Sequence, residues 1–153
     1  MNMKSEIELE FKIGHYNGTM AMQIFVDDCK VFDCAEFESE QSIFKCKVDW
    51  PAVMKIVVNN KNSSCDTEID SHGNILRDKY IELKKVTVDR CPASLQFMKT
   101  VMLNTENNES LNKLYWGFNG TVILNFDQAD SLSWHLSNQQ NTDDSYVIIE
   151  TRI

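Results

Sequence analysis

A chain of 153 residues is long enough to bury one real core without metal or disulfide staples, so a single domain over 1–153 is expected. Its net charge of -8, with Lys84-Lys85 the largest basic cluster, argues against phosphate recognition and hence against a nucleic-acid binder. No apolar run has the length of a membrane span or a secretory signal, so neither membrane insertion nor export is expected.

The first strand pattern is clean. Ile7, Leu9, Phe11 and Ile13 alternate with Glu6, Glu8, Glu10 and Lys12, the period of a half-buried strand. Asn17-Gly18 predicts a tight hairpin, and Met20, Met22, Ile24 and Val26 alternate back along a second strand. Asp27-Asp28 predicts a turn into a short strand at Val31-Phe32, and Glu36 to Glu40 reads as a solvated connection. Ile43 to Trp50 is a fourth strand that Pro51 ends. Met54 to Val58, rich in β-branched residues, reads as a fifth strand buried on both faces.

The stretch Cys65 to Asp89 follows a polar loop and organises the rest. An acidic segment turns at Ser71-His72-Gly73-Asn74 and leads into the longest regular strand. Ile81 and Leu83 share one face, but after Lys85 the apolar positions move to Val86 and Val88. A one-residue slip without a turn signal predicts a β-bulge. Ala93 to Asn104 fits a short helix or an irregular strand equally, and Thr105 to Asn112 a loop. Asn119-Gly120 predicts a second hairpin, with Val122, Leu124 and Phe126 on one arm. Leu132, Trp134 and Leu136 then alternate as its partner strand. Ser137 to Asp144 reads as a linker and Tyr146 to Ile149 as a last strand. Residues 138–153 form a C-terminal extension or docking strand in this reading. Many short strands, frequent turns and at most one short helix predict an all-β fold, an antiparallel two-sheet β-sandwich of jelly-roll type.

A further likeness rests on particular residues. Asp66-Thr67, Gly73-Asn74-Ile75, Asp78-Lys79, Ile81-Glu82-Leu83-Lys84 and Val88-Asp89, followed by Tyr115-Trp116-Gly117-Phe118-Asn119-Gly120-Thr121, form a recognisable pattern. It resembles a group of small β-sandwich accessory proteins of T4-like tailed phages of marine cyanobacteria, over about two thirds of the chain. The segment from Pro92 to Leu114 and the tail after Ser137 depart from it. The resemblance implies a virion structural or accessory protein, synthesised in a host cytoplasm, with other virion proteins as partners in a multi-copy assembly. It also implies an architecture similar to calcium-dependent carbohydrate-binding modules, and so a glycan as the alternative partner.

Candidate chemistry is sparse. Asp66, Glu68, Asp70 and Asp78 offer carboxylate oxygens within one loop, which is what calcium binds, and no other cofactor is indicated. EF-hand spacing fails, because the glycine is Gly73 and no bidentate Glu closes the loop, so a solvated acidic hairpin is the plainer reading. Tyr115, Trp116 and Phe118 could stack on a sugar, although aromatics beside a turn more often cap a core. His15, His72 and His135 lack ligand spacing, and Cys29 and Cys34 lack the second pair of a zinc site. Neither a nucleophile elbow nor a Gly-rich phosphate loop occurs, so an enzyme is not expected.

The five cysteines, Cys29, Cys34, Cys46, Cys65 and Cys91, are odd in number and include no CxxC pair, which fits free thiols in a reducing compartment. All five should be reduced in the native protein, and reductant should leave the melting temperature unchanged. An intramolecular disulfide after rapid alkylation would overturn that expectation.

Overall fold

The computed structural model describes residues 4–62, 64–93, 102–104 and 114–140. Strand β1 (Lys4–Gly14) turns Ile7, Leu9, Phe11 and Ile13 inward, as its alternation dictates. It is a central strand, paired antiparallel to β4 (Gln41–Asp49) on one side and β8 (Tyr80–Val88) on the other. The short β11 (Tyr115–Trp116) and β9 (Cys91–Pro92) also pair with β8 and complete the first five-stranded sheet.

The second sheet runs β10 (Met102–Asn104), β12 (Gly120–Phe126), β5 (Ala52–Asn59), β2 (Ala21–Val26) and β3 (Cys29–Cys34). A separate two-stranded hairpin, β6 (Thr67–Ile69) with β7 (Ile75–Asp78), precedes β8. One apolar core joins the inner faces of the two sheets, so the two-sheet β-sandwich read from the sequence is the observed fold. Among the described residues no helix is long and apolar enough to cross a membrane.

The predicted slip in β8 is present. Glu10 faces Lys85 and Phe11 faces Leu83, leaving Lys84 as the extra residue of a bulge. Ile81 and Leu83 before it and Val86 and Val88 after it are all buried on the same core side. The Asp27-Asp28 turn also holds, with both residues at positive φ between the paired strands β2 and β3.

Four expectations are corrected. Asn17 and Gly18 do adopt positive φ (61° and 93°), but β1 and β2 lie in different sheets, so the turn is a crossover and not a hairpin. At Asn119-Gly120 too the chain crosses between sheets instead of forming a hairpin, because β11 pairs with β8 while β12 pairs with β5. In β5 only alternate residues are buried: Met54, Ile56 and Val58 face the core, and Lys55 and Val57 are half-buried outside. The proposed strand at Leu132 to Leu136 is a helix, α1 (Ser131–Gln140), which also takes in the start of the supposed linker.

Asp130 explains the helix. Its carboxylate accepts the Ser133 amide at 2.8 Å and its carbonyl accepts the Trp134 amide at 3.1 Å, the arrangement of an N-cap. At about 100° per residue, Trp134 points away from Leu132 and Leu136, so a spacing of two separates these residues instead of aligning them. Trp134 is buried against Phe126 and Trp50, while Leu132 and Leu136 are 69% and 49% exposed. The expected loop at 105–112, the last strand at 146–149 and nearly all of the 138–153 extension lie outside the described residues.

Leu83→Ala should cost about 2–5 kcal/mol in urea unfolding, through lost transfer energy and an unfilled cavity. Leu132→Ala, on the exposed side of α1, should change stability by less than about 0.5 kcal/mol. Equal losses at the two positions would contradict the packing described.

Candidate functional site

The four loop carboxylates divide into two pairs with different work. Asp70 closes the β6–β7 hairpin: its carboxylate accepts the amides of His72 at 2.8 Å and Asn74 at 2.9 Å. These bonds hold its pKa below the ordinary carboxylate value, the Asn74 amide most of all. Glu68 pairs with Arg77 across the hairpin at 2.6 Å, and the Arg77 guanidinium lies over the Tyr16 ring.

Asp66 and Asp78 point inward instead. Asp78 Oδ1 accepts from Lys61 Nζ and from Thr67 Oγ1, both at 2.6 Å, and its Oδ2 accepts from the Tyr115 phenol. Asp66 Oδ2 accepts the Asn62 amide at 2.8 Å and lies 3.1 Å from Lys79 Nζ, and its Oδ1 accepts from Asn17 Nδ2 at 3.2 Å. The four charged side chains of these two pairs are only 4–6% exposed. Buried ions are stabilised when their remaining donors and acceptors find partners, and here each ammonium also meets a backbone carbonyl. Lys61 Nζ donates to Lys79 O at 2.7 Å, and Lys79 Nζ donates to Asn60 O at 3.2 Å.

The pKa directions follow from these contacts. The Asn62 amide bond leads in holding Asp66 down to about 2; burial opposes it, and the Lys79 and Asn17 bonds add to it. At Asp78 burial pushes upward, but the bonds from Lys61, Thr67 and Tyr115 together outweigh it and the carboxyl stays below its ordinary value. Burial, followed by the bond to Asp78, raises the Tyr115 phenol well above its usual value, so it remains a donor.

The three candidate aromatics also separate. Trp116 is buried and meets Phe11 edge-on at 6.2 Å between centroids, a core contact. Phe118 is half-buried and packs against the core. Tyr115 alone turns to solvent, 37% exposed, and stacks on Tyr80 at 4.3 Å between centroids. Neighbouring residues on a strand face opposite sides, so Tyr115 outside and Trp116 inside is the expected arrangement.

Two glycines make room for this pair. A Cβ at Gly14 would meet the Tyr80 ring at 2.1 Å, so only glycine lets that ring lie on β1. A Cβ at Gly117 would sit 3.1 Å from Lys61 Nζ and 3.2 Å from Asp78 Oδ2. The Asn119 side chain clamps the Lys61 backbone, accepting its amide and donating to its carbonyl, both at 2.9 Å. Beside the tyrosines on the same sheet lies a shallow hollow of about 140 Å³ lined by Glu10, Phe11, Lys12, Glu40, Gln41 and Lys84.

Lys61, Tyr80 and Gly14 had no signal in the sequence as site residues, and Lys79 entered only within the Asp78-Lys79 step of the resemblance. Lys79 could have been noticed as the lysine that interrupts β7 and β8 beside Asp78. Lys61 sits in an unremarkable polar loop and pairs with a residue seventeen positions away. His15 and His135 contact the backbone carbonyls of Ser39 and Val88, and His72 lies in the hairpin turn. Burial pushes the Cys46 thiol up to about 11. Among the described residues no three His, Cys, Asp or Glu side chains gather as a metal-holding group.

Because the folded pKa of Asp66 lies below its ordinary 3.8, its ionised form adds stability that is fully present above 3.8 and is lost as pH falls toward about 2. The urea midpoint should therefore drop across that window, and Asp66→Asn should flatten the drop while lowering stability at neutral pH. An unchanged slope in the variant would remove Asp66 as a source of acid sensitivity.

No protein-family model matches the chain, and no curated protein sequence matches it. Its architecture is similar to two solved structures. One is the module vCBM60 in complex with galactobiose, with a TM-score of 0.52 and 10% identity, covering 78% of this chain and 97% of that one. The other is a selenomethionine form of vCBM60, described with a circular permutation linking two families of calcium-dependent carbohydrate binding modules. Its TM-score is 0.50 at 10% identity, covering 79% of this chain and 90% of that one. At this identity the likeness is one of fold.

Proposed function

We propose that the chain is a non-catalytic carbohydrate-binding module whose sugar platform is the outer face of Tyr115. The observation that carries this reading is the pairing of exposure with rigidity at that residue. Its ring is open to solvent, backed by Tyr80 and anchored through its hydroxyl to a buried carboxylate. An aromatic held in place loses little freedom when a sugar ring stacks on it. Glu82 faces Tyr115 across the β8–β11 pair, and Lys12 faces Glu82 on β1, so hydrogen-bonding groups adjoin the platform. The fold likeness to a module solved with galactobiose supports the class of ligand.

A second reading is attachment to other chains, those of a phage virion if the sequence resemblance is followed, and exposed apolar residues of the β6–β7 hairpin favour a protein contact. Ile69, Ile75 and Leu76 there are 56%, 58% and 57% exposed, and Ile69 faces Ile75 across the hairpin. Ile75→Asp with Leu76→Asp should then abolish incorporation into particles while leaving the isolated domain folded.

Titration with galactobiose and with a panel of neutral and acidic soluble polysaccharides tests the first reading. At least one should bind, and Tyr115→Ala should weaken it by about tenfold or more, or 1.4 kcal/mol. Leu136→Ala, on the exposed side of α1, should bind as the parent does. Absence of binding across the panel, or equal binding by Tyr115→Ala, would reject the platform.

A further inference from the structure

The Lys61 and Lys79 ammonium groups have the surroundings of bound cations. Each is enclosed and meets one carboxylate oxygen and one backbone carbonyl oxygen. We propose that these two ammonium groups are the resident cations of this end of the sandwich, so that the chain keeps its fold and its tyrosine platform without a divalent ion.

The carboxylates themselves supply the argument. Calcium requires six to eight oxygen ligands at about 2.3–2.6 Å, with carboxylates the usual source of charge. The acidic loop and the likeness to calcium-dependent modules both suggest such an ion, but the loop residues do not fit one. Asp78 already serves Lys61, Thr67 and Tyr115, and Asp66 already serves Asn62, Lys79 and Asn17. Glu68 and Asp70 are spent on Arg77 and on the hairpin turn.

An incoming cation at Asp66 or Asp78 would have to displace a buried ammonium, leaving that charge without a partner. The space at Gly117 points the same way. A side chain there would press on Lys61 Nζ and Asp78 Oδ2, so the absent Cβ accommodates the ion pair itself. The two carboxylates and two ammoniums balance, and the cluster carries no net charge to attract a further cation. This inference stands on the ion pairs alone and holds whether or not the platform binds a glycan.

Thermal unfolding of the full chain tests it, first in EDTA and then in excess calcium. The melting temperature of the parent protein should be the same in both, and a rise with calcium would overturn the proposal. Lys61→Met keeps the aliphatic stem and removes the charge. Its melting temperature in EDTA should fall by several degrees, and calcium should restore part of that loss by supplying the missing counter-charge. A Lys61→Met protein as stable as the parent would also overturn the proposal. If Lys61→Met does not fold, that loss agrees with a required ammonium, and the calcium comparison on the parent remains the arm that can fail.

Discussion

The loop end of this molecule depends on two ammonium–carboxylate pairs taken out of water. Lys61 leaves the end of β5, Asp66 and Asp78 flank the small hairpin, Lys79 opens β8 and Tyr115 comes from the sheet edge. Three chain segments, the β5–β6 connection, the Asp78-Lys79 step and β11, are thereby held by a handful of bonds at one place. Removing one member would leave its partner charged and buried, a penalty of about 3–5 kcal/mol in comparable pairs. Apolar packing holds the sheets together, but it has no direction that could orient loops of this kind. The charged groups supply that direction.

Orientation of the tyrosine platform follows from the same bonds. The phenol of Tyr115 is tied to Asp78, and its ring rests on Tyr80, which lies on the bare backbone of Gly14. The bulge at Lys84 matters at longer range. Without the extra residue, Val86 and Val88 would face the solvent while Ile81 and Leu83 faced the core. With it, one strand contributes to the core along its whole length and still presents Tyr80 and Glu82 outward at its start.

The far end of the sandwich is held by a hydrogen-bonded chain that ends on the Asp89 carboxylate. Trp50 donates to Ser5, Ser5 donates to Asp89, and Asp89 also accepts the Glu6 amide. Trp50 in turn packs with Phe126 and Trp134, so the helix is fastened to the core by aromatic contact. The two ends therefore differ in kind. One is a hydrogen-bonded aromatic cap, and the other is a charged hub beneath an exposed ring.

Local pattern in the sequence was enough for the strands. Period-two alternation identified β1, β2, β8 and β12, and the phase slip announced the bulge, because both are properties of a few consecutive residues. The turn residues Asn17 and Gly18 revealed their backbone conformation but not their topology, since positive φ suits a crossover between sheets as well as a hairpin. Alternation also misread Leu132, Trp134 and Leu136, where the N-cap Asp130 selected a helix and tertiary packing chose which side was buried. At the site, the sequence by itself supplied the carboxylates and the aromatics. Which of them meet was decided only in three dimensions. Lys61 to Asp78 and Tyr115 to Asp78 are contacts between residues distant along the chain, and no local spacing encodes them. A charged side chain shows its sign in the sequence, but whether water, a metal or another side chain answers that sign depends on what the fold brings beside it.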